Sequence, residues 1–592
     1  MAEMDMLVDK LDAQFGGGTI FSRRVRAAST LAAQRMRTAS GRVRERLGWL
    51  EEAGSVAGAG AWRALLRGLS EQEAGAVVDE LRFFASLHKR DTDIRLTPVD
   101  GVWGSTARVG PQLMAELDRW ANLVAEDAAE EGRRRYLERR RPSSTRAVQW
   151  LDDEDSEDSE DNEGEGPAAG RRGQVVYLVD PCMHPLIYSA STLVQTGSMT
   201  LASALRPEVA GWTPGSAAAW QQALLDGRGS GSSRTSTGRQ RALYVPVGPD
   251  WAVSGEHCWL PAEFQLDRHG RATVQSYING LNPDRFAGLY ATIERVFALL
   301  VPVLEQVLTD LAHPRGARAP STLGKWWTNG SDSDSDASCA AAGRSRAWAQ
   351  FSARLEDPRP RPPSGPARPI IPYTLCGQRL QAVVEMSDIV LAPGRLAYRG
   401  QWTVDGMANE RIIATAILHY AADNIARATI AFREPVQAVA DCDSNSADAM
   451  GRIYGLAPTP GRPRRVSRPA GKVAIEAGAC IVYPNTYQHR STARLVDPRR
   501  PGVLRRLVIY FVDPSTWIPS TELVPPQQRN WLRPGGDVVV RGMYLMRRYS
   551  SLSRLSITPA IAKQVRDAMV AEHVQATAEL NKALFEPVLQ AS

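Results

Sequence analysis

Between residues 370 and about 526 the apolar positions come in short runs with turns between them. "LQAVVEMSDIVLA", "RIIATAILHYA", "ATIAFRE", "KVAIEAG", "ACIVYPNT" and "RRLVIYFVD" are the clearest. Many short β-type runs without intervening helices predict a β-sandwich or barrel. Upstream the period changes. "LAAQRMRTASGRVRERLGWLEEAG" and "GPQLMAELDRWANLVAEDAAEEGRRRYLERR" place apolar residues at three- and four-residue steps, which predicts helices up to about residue 142. A long amphipathic helix is expected over 284–312. Its most apolar part, "FALLVPVLEQVL", is interrupted by Glu305 and reads as a buried core helix, not a span. A last helix should begin at Thr558 as N-cap with Pro559 in its first turn.

Two stretches break this texture. "LDDEDSEDSEDNEGEGPAAG" (151–170) is an acidic run that cannot bury apolar area and is expected to be a disordered linker. Residues 314–368 are a second low-complexity insertion, Ser/Asp-rich and then Pro/Arg-rich. The expected layout is a helical region over 1–150, the linker, a mixed α/β segment over 171–313 and the insertion. A β domain over 369–530 and a C-terminal helical region over 531–592 complete it.

Composition narrows the class only a little. At 592 residues, 43% hydrophobic and 23% charged, the chain is an ordinary globular protein with room for a large core. A net charge of +6 is diluted over that length, and the basic runs "RRRYLERRR" and "GRPRRVSR" carry no interleaved aromatics. Neither a nucleic-acid partner nor a membrane is expected; a small molecule or protein substrate is. The six cysteines stand far apart and form no CxxC pair, which suits reduced thiols. The acidic start has no apolar signal region, so an intracellular, cytoplasmic protein is expected. The Arg/Ala-rich stretch from Ser22 to Arg46 is the one feature like an organelle transit peptide.

The candidate chemistry lies in "GQWTVDGMANERIIATAI" (400–417). A barrel that holds non-haem iron offers two His and one carboxylate on one face, two of them from a strand as His-x-Asp/Glu. Thr403 and Asp405 have that spacing, and His489 in "YPNTYQHR" follows on a later run. Asp405 and His489 are the candidate metal ligands, although Asp405 before Gly406 also suits a plain turn. Arg505 and Arg506 in "LRRLVIYF" are the candidates for binding a cosubstrate carboxylate. They lie on opposite faces of a strand, so one at most points inward. His419 is the one other His in the β-rich part near the site; a structural role is expected for it. Asn279 and Asn282 in "SYINGLNP" are expected to pin a loop, His184 to sit in a turn or pack, and Trp402 to fill core rather than wall the cavity.

Several long motifs in order resemble the DUF4246 family: "DPCMHPLIY", "CWLPAEFQL", "VQSYINGLNP", "MSDIVLAPGRLAYRGQWTVDGMANERIIATAILHYAADNI" and "YPNTYQHR" followed by "LRRLVIYFVDPSTWIPSTELVPPQQ". The likeness runs from about residue 80 to 590 apart from the two insertions. It implies a double-stranded β-helix (jelly-roll, cupin-like) core wrapped by N- and C-terminal helices, hence an α+β class. It also implies the look of an iron(II)/2-oxoglutarate oxygenase. The family pattern Trp-His-Val-Glu-Gly stands here as Trp402-Thr403-Val404-Asp405-Gly406, with Asn409-Glu410 after it, so a hydroxyl replaces one expected imidazole. Pro-Asn-x-x-Gln-His-Arg survives from Pro484 to Arg490. The expected Gly-His-Arg-Lys is Gly502-Val503-Leu504-Arg505. Three readings follow: an iron(II)/2-oxoglutarate-dependent dioxygenase with a degenerate motif, a catalytically inactive cupin-like binding or scaffold protein, and a barrel that binds metal without oxygenase chemistry.

Overall fold

In the computed structural model, residues 30–139, 174–194, 250–314, 371–435, 464–528 and 557–589 are described, with short breaks. A few isolated positions lie between them. Most of the acidic linker and the low-complexity insertion lie outside the described residues.

Thirteen strands build two antiparallel sheets. In chain order they are β1 (Arg95–Leu96), β2 (Trp103–Ser105), β3 (Val175–Val179), β4 (Ala262–Leu266) and β5 (Ala272–Val274). Then come β6 (Arg379–Leu391), β7 (Ala397–Arg399), β8 (Ile412–Asp423) and β9 (Ala428–Glu434). The last are β10 (Arg468–Ile475), β11 (Cys480–Pro484), β12 (Gln488–Arg494) and β13 (Gly502–Val512). The nine-stranded sheet runs β1-β2-β11-β8-β13-β6-β4-β5, with β3 paired to the far half of β6; the four-stranded sheet runs β7-β12-β9-β10. Alternation decides which side chains meet. On one face of the large sheet Ala382, Met386, Ala416, Leu418, Leu507 and Phe511 meet the helices. On the other face Val383, Ile417, Ile481, Val508 and Val512 meet Ile430, Phe432, Val473 and Ile475 of the small sheet.

The helical layer consists of α1 (Leu31–Arg44), α2 (Glu71–Leu87), α3 (Pro111–Arg139) and α4 (Ala287–Ala312), and a fifth, α5 (Pro559–Leu580), lies apart from it. Among the described residues α4 alone is long and apolar enough to cross a membrane. Its apolar stripe is buried in the core: Phe297 stacks on Phe264 at 4.1 Å and meets Phe511 edge-on. Gly288 lets α3 approach closely, since a Cβ there would stand 2.2 Å from the Trp120 ring. Buried ion pairs hold α1 and α2 to the β unit. Arg44 and Arg318 converge on Asp100, Arg318 also reaches Glu80, and Arg37 reaches Glu434.

The class is mixed α and β with antiparallel sheets. The N-terminal region is not wholly helical as its periodicity suggested: "VDGVWGSTARV" adds β2, whose Trp103 is buried and bonds Asp310 of α4. "WTVDG" is not a strand either, because only Thr403 makes a bridge, to His489. The cap of α5 is as expected, with Thr558 accepting from the Ile561 N–H. Asn279 pins loops by donating to the Met183 and His184 carbonyls, and His184 sits in a turn at φ +56. Asn282 instead caps its own turn, accepting from Asp284 and Arg285. None of the four described cysteines is in a disulfide.

Candidate functional site

His489 lies near the start of β12, opposite Phe432 of β9, and exchanges both backbone hydrogen bonds with Thr403 (2.9 and 3.1 Å). That exchange fixes the 402–406 segment against the small sheet. Three residues on, the chain turns at Gly406 (φ +70), where a Cβ would crowd Glu410 and Ile412. Asn485 clamps the turn: its Oδ1 accepts from Asp405 N at 2.9 Å, and its Nδ2 donates to the Asp405 and Ile412 carbonyls. The retained Pro-Asn motif thus positions the acid. Thr415 and Tyr483 donate to Asp405 Oδ2 at 2.7 and 3.1 Å. Its Oδ1 is left facing His489 Nε2 at 3.7 Å. Both residues are buried, each 8% exposed.

The facing wall comes from β6 and β13, whose register sets Ser387 opposite Arg506. Glu385, Ser387, Arg506 and Tyr510 share the inner face. Arg506 Nε donates to Ser387 Oγ (2.7 Å), and Ser387 Oγ donates to Glu385 Oε1 (2.8 Å). Arg506 Nη2 also reaches Glu385 Oε1 at 3.3 Å, while Tyr510 donates to Oε2 at 2.7 Å. Burial by itself would lower the guanidinium pKa; Glu385, together with the nearby Tyr398, Tyr177 and Tyr510, more than reverses this and holds it above its ordinary value. Burial likewise pushes His489 below the usual imidazole range, against the pull of Asp405 and with the help of Arg506.

Asp405, Tyr483, His489, Glu385, Arg506 and Tyr510 line one cavity of about 300 Å³ between the sheets. Thr403 and Asp405 both border it, but so does Val404 between them, because the segment is not a strand; Trp402 borders it as well instead of filling core. Helix α5 forms a further wall through Arg566, Val570, His573, Val574 and Leu580. Of the two candidate arginines Arg506 reaches the cavity. Arg505 turns to the helical side, bonding Asp118 of α3 at 2.8 Å with Asp388 at 3.6 Å. Leu504, which stands at the resemblance's arginine position, shares the inner face with Arg506 one pleat away.

The expected metal is tested by the donors themselves. Thr403 Oγ1 donates to the Val404 carbonyl at 2.8 Å, and its hydroxyl is a weak ligand beside an imidazole. Among the described residues, three His, Cys or carboxylate donors converge only at Glu256, His257 and Glu572, outside this cavity. There Glu256 is exposed, and His257 and Ser254 already bond Glu572. His489 Nδ1 is buried without a partner, whereas a ligating imidazole ordinarily donates its second N–H. Two donors converge, and the set does not fit an iron held by two His and a carboxylate.

His419 does not supply the missing one. It lies opposite Arg506 in register, bonds the Ile475 carbonyl and is absent from the cavity wall. Burial, with Arg506 adding, pushes its pKa down to about 4 from the ordinary 6.5. A depressed imidazole contributes stability fully above pH 6.5 and loses it as pH falls toward 4, here about 3 kcal/mol. His573, pushed to about 4 by burial and then by His257, acts in the same direction. Glu410, raised to about 7 by burial, opposes both by weakening the fold as pH rises. The readout is therefore a difference between proteins. Between pH 7 and 4.5 the melting temperature of His419→Leu should fall less steeply than that of the unmodified chain. Equal slopes would refute this assignment.

Sequence reasoning did not identify Glu385, Ser387, Thr415, Tyr483, Tyr510 or the α5 wall. A signal for the first two was present, as Glu385 and Ser387 stand at i, i+2 within a mostly apolar run, "LQAVVEMSDIVLA".

A family model described as "Protein of unknown function (DUF4246)" matches residues 145–534, and the chain belongs to that family. No curated protein matches it. Among solved structures, one match is the selenomethionine-labelled Fe(II)/(alpha)ketoglutarate-dependent dioxygenase TqaL. The identity is 9% and the TM-score 0.20, over 47% of this chain and 72% of that one.

Proposed function

We propose that the two-sheet unit is a double-stranded β-helix of the oxygenase-like, cupin-like kind, and that its cavity binds a small molecule without running the iron(II)/2-oxoglutarate reaction. The observation that carries this reading is the internal carboxylate on Arg506. A 2-oxoglutarate oxygenase needs a cation free to receive the cosubstrate carboxylate. Here Glu385 already occupies that cation, with Ser387 and Tyr510 completing its hydrogen bonds. An incoming dianion would meet Glu385 and Asp405 within one small cavity. The absent third ligand at Thr403 argues the same way.

One observation favours a second reading, a two-donor metal site: Asp405 Oδ1 and His489 Nε2 face each other at 3.7 Å, with the other carboxylate oxygen held by Thr415 and Tyr483. Supported carboxylates of this kind are common around ligated metals. Anaerobic calorimetry with iron(II) separates the two. Thr403→His is expected to bind at least ~10-fold more tightly than the unmodified chain, since outer-shell groups alone are worth about that much. Equal, tight binding by both proteins would favour the metal site and defeat the first reading.

A further inference from the structure

The cavity's charges do not cancel. Arg506 is paired with Glu385, and Arg566 of α5 with Asp180. Asp405 is the third lining carboxylate, and among the described residues only His489 comes within ion-pair distance of it. Both of its hydrogen bonds fall on Oδ2, so Oδ1 remains as an acceptor beside the imidazole Nε2. Among the described residues, no lining guanidinium is left to receive an anion.

The walls around this acid are aromatic. Trp251, Trp259, Trp402, Tyr398, Tyr483 and Tyr510 all face the cavity. Trp259 packs on Tyr510 at 4.9 Å and meets His573 edge-on at 5.3 Å, which makes a continuous ring surface from β13 to α5. Trp402 already takes cations on its ring: the Arg433 and Arg490 guanidinium carbons lie 4.6 and 4.5 Å from its centroid, and neither residue lines the cavity. A buried carboxylate with one free oxygen among aromatic faces attracts a positive charge by ion pairing and by the ring quadrupole.

We propose that the cavity takes a small organic monocation, a protonated primary or secondary amine with an apolar or aryl body. Its ammonium would donate to Asp405 Oδ1 and His489 Nε2. This rests on the binding reading above and names its ligand class. About 300 Å³ is the small end of ligand pockets, which limits the guest to a compact amine. The body would lie against Trp259, Tyr398 and Tyr510.

The test is a set of probes of one shape and three charges: phenethylammonium, 2-phenylethanol and 3-phenylpropanoate, each titrated calorimetrically into the full chain. The ammonium is expected to bind about 30-fold more tightly than the alcohol, and the carboxylate more weakly than either. Asp405→Asn should remove the preference for the ammonium over the alcohol, and circular dichroism checks that the variant is folded. Because the panel is read first on the unmodified protein, a misfolded variant does not stall the test. Equal binding of ammonium and alcohol would overturn the cation assignment and leave the binding reading intact. Binding of the carboxylate alone would overturn both, because it requires Arg506 to be open.

Discussion

Arg433→Leu is expected to destabilise the protein by about 3 kcal/mol, the lower end of the usual cost of removing one partner from a buried ion pair. Arg433 is 1% exposed and joins three parts of the chain. Its Nε donates to Gln488 of β12 at 2.6 Å, Nη2 donates to Asn581 just past α5, and Nη1 pairs with Glu586. Its guanidinium also covers the rings of Trp402 and Phe585. The lower figure is apt because Glu586 is partly exposed and can be hydrated once its partner is gone. The leucine variant should melt earlier and be cut by protease near residues 581–586, since the end of α5 loses its anchor. Arg433→Lys should rescue little, because one ammonium cannot serve the three acceptors that the guanidinium fork reaches. Any ligand of the cavity should bind more weakly to the leucine variant, as α5 forms a wall. Unchanged melting and cleavage would show that α5 is held elsewhere.

Glu385→Gln has the second large effect, and its sign depends on what is in solution. Without ligand the variant leaves the Arg506 charge buried among neutral partners, at a cost of about 3 kcal/mol. Added 2-oxoglutarate should return much of this. A ligand at a hundred times its dissociation constant stabilises by about 2.7 kcal/mol, and the variant has the open guanidinium that such a ligand needs. The unmodified chain, with Glu385 in place, should not respond. Melting curves with and without 2-oxoglutarate for the two proteins check this. A rise in the unmodified chain as large as in the variant would mean that Glu385 does not guard Arg506.

The apolar skeleton was legible in the sequence because burial and period coincide there. β6, β8, β9, β10, β11 and β13 all arise from runs of alternating or continuous apolar residues, and α4 from its apolar stripe. The strands that were not legible are those whose partners supply the reason for the fold. β12 reads "QHRSTAR", with almost no apolar residue, and exists because β7 and β9 pair with it on either side. The site divides in the same way. Asp405 and His489 were visible through the motifs, and the structure brings them together. The meeting of Glu385 with Arg506 depends on the register of two strands 121 residues apart, which no local pattern encodes. The pairing of Arg566 with Asp180, which seats α5 on the cavity, spans 386 residues.

The most direct test of the binding reading is anaerobic titration of the metal-free protein with iron(II) and then 2-oxoglutarate, watching for the visible charge-transfer band of the chelate. The unmodified chain should show no band. The double variant Thr403→His with Glu385→Gln, which restores the third ligand and opens Arg506, should show one. A band in the unmodified chain would mean that Asp405 and His489 suffice to hold the metal and that Glu385 yields Arg506 to the cosubstrate. The cavity would then be an oxygenase site after all.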